Sequence, residues 1–409
     1  MIQMRVCTFA LILAGCSFSS NPLESAPPDA VGGGAPSSDA SIGDAAAGEA
    51  AAGDAPAGDA NDDANGGGGN AQQICVGAFV PLCVNAAQPG VTLTAQTINT
   101  SVSPLCSSTV SSSACVIIGS SITIPGNHTV TVTGSRPLIL LSTGSITVSG
   151  VLDASSRQAD TAGPGTIGPG ADAGPCPTNV TNPTAGSFGD GGGGWGGSFG
   201  NPGNNGGNGG LAGTGGSAAG AFNTTTLRGG CPGGSGAGAS GGALGRGGGA
   251  VLLVAKQTLT IDGTVNASGA AGGGGRSSGG GGGGGSGGMI VLDAETVNTP
   301  GKCFANGGGG GEGANINVNG NTGGHSSAPS TAGGGGKDTA FGGDGGAGGF
   351  GTAPNGSPGH GGGVTIVLNV IQQLGGGGGG GGGSGVIKVF ATQQVNTTDS
   401  SKVAPLPTR

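Results

Sequence analysis

The sequence predicts an all-β protein: a parallel β-solenoid, β-helix-like, with long glycine-rich excursions between its strands and a disordered N-terminal tether. Three observations lead there. Glycine supplies 105 of 409 residues and charged residues only 8%, a balance unsuited to helices, whose interiors glycine destabilises. Short segments of apolar/polar alternation recur with the same internal spacing, the mark of half-buried strands. The glycines sit in uneven blocks between those segments, not at every third residue, which excludes a collagen helix. With 12 Lys+Arg against 20 Asp+Glu, the chain lacks the basic face of a nucleic-acid binder, and no nucleic acid is expected as partner.

Residues 1–15 read as a secretory signal. A lone Arg5 precedes the apolar run 9–13, too short to span a bilayer but suited to an h-region. Leu13-Ala14-Gly15-Cys16 resembles the lipobox of bacterial lipoproteins. That resemblance implies cleavage before Cys16 and acylation of it, several acyl chains giving lasting attachment. A plain signal peptide with a chance cysteine is the alternative. The address expected is export and anchoring to the bacterial cell envelope at the outer membrane, with which Ser17 is compatible.

Residues 16–73 form an acidic Ala/Gly/Asp tether. They carry nine acidic residues, no Lys or Arg, and a five-residue repeat opening at Gly43, Gly48, Gly53 and Gly58. So few bulky apolar side chains cannot offset the entropy of ordering, so disorder is expected. The remaining chain is electrically balanced, and the tether would hold a neutral domain away from the membrane.

Residues 74–114 read as a cysteine-containing entry segment. Cys75 and Cys83, and Cys106 and Cys115, are two close-spaced sets, while Cys176 and Cys231 bracket a glycine-rich excursion. An exported chain favours disulfides, and these six are the candidates, although spacing does not fix connectivity. No spacing resembles a zinc site; neither metal nor cofactor is expected.

Residues 115–395 contain the repeat. The segments 138–156, 251–269 and 289–307 align without gaps. Each opens with an apolar strand, turns, and continues as an alternating strand with Ile146, Val148 and Leu152, or Leu259, Ile261 and Val265, inward. Gly150, Gly263 and Gly301 share one position, a bend or a close backbone approach. Partial copies are expected at 363–374 and 385–395, and 115–133 is strand-like. Cys303 falls at the inward position of Leu152 and Val265, predicting a buried free thiol. The opening strands are apolar on both faces, as in parallel sheets covered on both sides, and the excursions 157–248, 270–287, 308–362 and 375–384 are the expected cover. They are either bundled polyglycine-II-like strands or disordered loops. Residues 396–409 read as a tail.

The pattern I-x-V/I-x-G-x-V/L-x-A, followed by a glycine block and a strand after Gly-Gly-Gly-Ser-Gly, resembles glycine-rich bacterial surface proteins, PE-PGRS-like by composition only. The mycobacterial PE module has no counterpart here. The resemblance implies architecture and says nothing of activity.

Catalysis is not expected. Glycoside hydrolysis needs two carboxyls at fixed separation, and aligning the copies gives no acidic ladder; Asp293 and Glu295 read as a solvated turn. Residues 333–338 superficially suggest a phosphate loop, but Asp338 stands where Ser or Thr is required. Phe188, Trp195 and Phe199 form the one cluster above background. They are either a stacking platform for sugars or apolar receptor groups, or anchors pinning the excursion to the strands. The expected function is a lipid-anchored, non-catalytic structural or adhesive surface protein, whose partners are the membrane and glycans or surface receptors. The alternative is a polysaccharide-acting β-helix enzyme, a lyase or glycosidase.

Overall fold

The computed structural model describes residues 73–158, 165–222, 224–337, 340–368 and 370–408. Its regular elements are all β-strands, and no helix occurs among the described residues. The antiparallel pair β1 (Gln73–Val76) and β2 (Leu82–Asn85) opens the described chain. Strands then alternate between two sheets. The larger receives β3 (Val91–Thr92), β5 (Cys115–Ile124), β7 (Leu138–Val148), β9 (Ala250–Ile261), β11 (Met289–Asn298), β15 (Val386–Phe390) and β16 (Gln393–Val395). The smaller receives β4 (Gln96–Asn99), β6 (Thr129–Thr133), β8 (Val151–Asp153), β10 (Thr264–Asn266), β12 (Lys302–Phe304) and β17 (Val403–Ala404). Up to β15 and β17, each new strand is added in parallel beside the one before it in its own sheet, so order in space follows order in sequence, and β16 pairs with β11 beyond β15. The remaining pair, β13 (Val364–Val367) and β14 (Val370–Leu374), is antiparallel.

Two departures from the sequence reading concern extent. β3 and β4 belong to the parallel sheets, so the repeat begins within the segment read as an entry, and β17 pairs with β12, so the segment read as a tail supplies a strand. Neither is long enough to display an alternating pattern. A third concerns 363–374, which forms the β13–β14 hairpin with Ile366 and Val370 exposed, instead of a copy of the repeat.

Register follows the ungapped alignment between β7 and β9: Leu138 pairs with Val251 and Ile146 with Leu259. Between β9 and β11 it fails over the first half, where Met289 pairs with Ala250, and holds over the second, where Val297 pairs with Leu259. A bulge between Ala294 and Thr296 absorbs the difference. A slip of one residue reverses every side chain, and the bulge lets both halves keep their apolar residues inward. A similar irregularity lies between Gly119 and Ser121, dividing the long strands into two limbs. There Ser142 donates its hydroxyl to the carbonyls of Ser120 and Ser145.

The core lies between the sheets. Ile146, Val148, Leu152, Leu259, Ile261, Val265 and Cys303 are at most 1% exposed and share one cluster. Cys303 is unpaired, abreast of Val265, and burial pushes its thiol pKa up to about 12. Gly150, Gly263 and Gly301 stack at the turn: a side chain at Gly263 would meet the Gly150 carbonyl, and one at Gly301 the Gly263 carbonyl. The second face of the first limb is covered in part by the first glycine-rich excursion, as the sequence suggested, and in part by the β1–β2 hairpin, which it did not. Val76, Leu82 and Val84 of the β1–β2 hairpin and Phe199 pack on Ile139, Leu141, Leu252 and Val254. Asp293, read as part of a solvated turn, is buried and accepts the amides of Ala78 and Phe79 at 2.6 and 2.8 Å, tying the hairpin down. Disulfides join Cys75–Cys83, Cys106–Cys115 and Cys176–Cys231. The last spans 55 positions, worth about 4 kcal/mol by loop entropy.

The glycine blocks are joined by backbone hydrogen bonds of period three. Gly281, Gly284 and Gly287 donate to Gly377, Gly380 and Gly383, which donate in turn to Gly191, Gly194 and Gly197. The intervening amides of the same segment turn elsewhere. Gly280, Gly283 and Ser286 donate to Ala237, Gly234 and Cys231; Gly282, Gly285 and Gly288 donate to Gly273, Ala270 and Ala267. Amides at successive thirds of a turn thus reach three different neighbours, as a threefold extended strand without internal bonds permits. The approach is too close for side chains: a Cβ at Gly283 would strike the Trp195 carbonyl, and one at Gly284 the Gly308 carbonyl.

Gly283→Ala should therefore cost about 1–3 kcal/mol in chemical denaturation through overpacking, whereas Gly334→Ala, where a Cβ meets nothing within 4 Å, should stay within about 0.5 kcal/mol of wild type. Cys303 should resist thiol reagents in the native protein and react only on unfolding, because the thiolate is the nucleophile and burial suppresses it.

Candidate functional site

A large concavity lies where the β1–β2 hairpin, the loop before β5 and two stretches of the first glycine-rich excursion meet. It is a groove of about 1190 Å³. Its floor is apolar, formed by Leu82 and Ile139 from the sheet side and by Val110, Phe222 and Leu227 from the loops. Its rim carries hydroxyl and amide groups: Ser111, Ser113 and Ser135 on one side, Thr178, Asn179, Thr224, Thr225 and Thr226 on the other. Two disulfides fix these walls. Cys106–Cys115 ties the loop to the start of β5, and Cys176–Cys231 ties the two excursion stretches together.

Arg228 is the ionisable residue among those lining the groove, and it is 7% exposed. Its guanidinium lies 5.5 Å from the Phe199 ring centroid and 5.2 Å from that of Phe222, and the two rings meet edge-on at 5.3 Å. Nη1 donates to the Pro175 carbonyl at 2.6 Å and Nε to the Gly229 carbonyl at 3.1 Å, while Nη2 approaches Cys176 Sγ and Cys231 Sγ at 3.3 Å. Burial lowers the arginine's pKa, and the field of Asp172 opposes that shift. Asp172 is itself raised by burial, against the Gly247 amide and Arg246, which pairs with it at 3.2 Å. Ring faces, carbonyls and sulfurs thus solvate a cation that clamps the excursion at the groove's foot.

The aromatic cluster expected from sequence is not assembled as a platform. Phe199 is fully buried in the second core cluster; Phe188 is 65% exposed; Trp195 is half-buried, its ring against the backbone at Gly234. Phe199 and Trp195 act as anchors because the glycine strands leave room for a ring only where a neighbour lacks Cβ. Phe222 and Arg228 carry no signal in the sequence, because an apolar residue and a lone arginine in a low-complexity stretch show no period. Cys16 lies outside the described residues, as does Asp338.

Several acidic residues hold neighbouring groups in place. Asp153 pairs with Arg157 at 2.8 Å and accepts from Asn266. Glu312 accepts the Asn321 amide at 3.0 Å. Asp190, fully buried, gathers the amides of Leu211, Ala212 and Gly213 on Oδ2 at 2.8, 2.7 and 3.0 Å. Burial alone would raise its pKa; these amides outweigh that and hold the carboxyl below the ordinary 3.8. No group of three or more His, Cys, Asp or Glu side chains that could hold a metal occurs among the described residues, and no helix there is long and apolar enough to cross a membrane.

Comparison with known proteins returns no matching family model, no similar curated protein and no similar solved structure.

Because the Asp190 pKa is lowered on folding, its contribution to stability is complete above 3.8 and is lost as pH falls through the lower folded value. Asp190→Ala should remove that part of the acid dependence, and should raise hydrogen exchange at the amides of residues 211–213. Unchanged exchange there would count against the carboxylate's role.

Proposed function

We propose that the chain is a non-catalytic surface protein of structural or adhesive type, anchored by lipid on Cys16 to the outer membrane and held out by residues 16–73. Its folded part is a parallel β-solenoid buttressed by a polyglycine-II-like bundle. Its contact site is the groove above Arg228, and its partner class is neutral glycan.

The observation carrying the contact site is the pairing of an apolar floor with a hydroxyl rim on walls fixed by disulfides. A sugar offers an apolar ring face and equatorial hydroxyls, and such a groove meets both needs, its ionisable lining residue Arg228 being already engaged by ring faces, carbonyls and sulfurs. Rigid walls lower the ordering cost of binding. Anchoring is supported by the sequence resemblance at residues 13–16 and by the acidic composition that follows it.

Two measurements test this reading. Cells fed an alkyne-tagged fatty acid should label the wild-type chain and not Cys16→Ser, which should leave the membrane fraction; equal labelling of both would remove the anchor. On a glycan array, the full chain should bind a neutral oligosaccharide that Phe222→Ala and Thr225→Lys bind about tenfold or more weakly. Absence of any glycan signal would reject the partner class while leaving the anchor to its own test.

A further inference from the structure

The second limb of the larger sheet carries an outward face that neither core cluster covers. Strand pairing sets Thr92, Thr123, Thr147 and Thr260 side by side in one column, which Asn298 and then Val395 of β16 continue at its edge. A second column runs two residues away along the strands. Ser121 pairs with Ser145, and Thr258 with Thr296. Ile146 pairs with Leu259, so Ser145 and Thr258, each one residue earlier, continue the same line. All these positions are exposed or half-exposed, while the residues between the columns, Ile122, Ile146, Leu259 and Val297, are at most 1% exposed. The inward residues fix the backbone on which the hydroxyls stand.

The result is a grid. Its repeat is about 4.8 Å across strands and about 6.6 Å along them. Threonine is stiff about χ1 because it branches at Cβ, so each hydroxyl and methyl is held in a narrow range before any ligand arrives. Neither column contains an ionisable or aromatic side chain; Lys256 and Glu295 stand at the limb boundary and Asp262 in the turn. The face is distinct from the groove, which lies over the first limb.

A soluble sugar, peptide or anion has no use for a two-dimensional repeat, and calls instead for a concavity, a charge or a ring to stack on. A neutral grid of alternate donors and acceptors is complementary to a ligand that is itself a neutral periodic array of such groups. Water in ice is that array. Each molecule at an ice surface has already lost its freedom, so bridging it to a fixed hydroxyl avoids the immobilisation cost of up to about 2 kcal/mol that liquid water would add. The absence of aromatic rings from both columns speaks against a crystalline polysaccharide, whose sugar rings would seek them. We propose that this hydroxyl grid is an ice-binding face.

The test uses the full chain frozen slowly onto a seeded ice front, together with microscopy of single ice crystals held just below their melting point. Wild type should be enriched in the ice fraction and should facet the crystals. Thr147→Lys with Thr260→Lys, both outward and away from the core, should fall to the exclusion of an inert protein, with circular dichroism unchanged. Thr260→Val keeps the branched shape and removes one hydroxyl, and should show reduced enrichment; it decides the matter if the lysine variant misfolds. Phe222→Ala should partition like wild type, separating this face from the groove. Exclusion of the wild-type chain from ice would overturn the proposal. So would full enrichment of a folded lysine variant, or wild-type binding to microcrystalline chitin or cellulose without binding to ice.

Discussion

Backbone hydrogen bonding between side-chain-free segments is the interaction on which this structure rests. A segment of period three points successive amides at three neighbours, and residues 280–288 do so toward three different stretches of the chain. Buried amides left unpaired would each cost of order 1–3 kcal/mol, so the lattice must be nearly complete to exist at all. Completeness in turn forbids side chains: at most interior positions a Cβ would land on a neighbouring carbonyl. Glycine is the most costly residue to order, and here that cost is met by hydrogen bonds where an ordinary domain would use apolar burial.

The bundle cannot fix its own register, because identical glycines slide past one another without penalty. The two parallel sheets supply what it lacks. Their inward residues differ in shape, and a one-residue slip would turn Leu259 or Val265 outward. Strands β9, β11 and β15 each emerge directly from a glycine segment, at Gly249, Gly288 and Gly385. The sheet register is thereby handed to the lattice. Phe199, Trp195 and Arg228 make further fixed points inside the first excursion, each placed where aromatic area or a buried cation can find a partner among residues that offer none of their own.

Parts of this were legible in the sequence for identifiable reasons. The β7–β9 register was readable because Ile146, Val148 and Leu152 repeat the spacing of Leu259, Ile261 and Val265. Cys303 was readable because it stands where those strands place Leu152 and Val265. The β9–β11 register was half legible, since one inserted residue at a bulge leaves composition unchanged while moving Asp293 abreast of Val254. β3, β4 and β17 are not legible because two to four residues cannot show a period. The 363–374 hairpin resembled a repeat because valine and isoleucine favour strands of either kind. Of the groove, the disulfide walls were visible as cysteine pairs, but its floor joins Leu82, Ile139 and Phe222 from three distant segments.

By itself, then, the sequence determined that the described residues are all-β, that β7 and β9 share a register, and which of its cysteines had companions close by, since each of these is written in local spacing. Whether the glycine-rich excursions would be loops or lattice was decided only in three dimensions. A glycine run carries no side-chain pattern from which a partner could be inferred; its order comes from carbonyls brought within reach by segments nearly two hundred residues away, as when Gly380 donates to Gly194. The same holds for the groove and for the hydroxyl columns. Each strand contributes at most two outward residues of the grid, and it is parallel pairing that turns them into a surface.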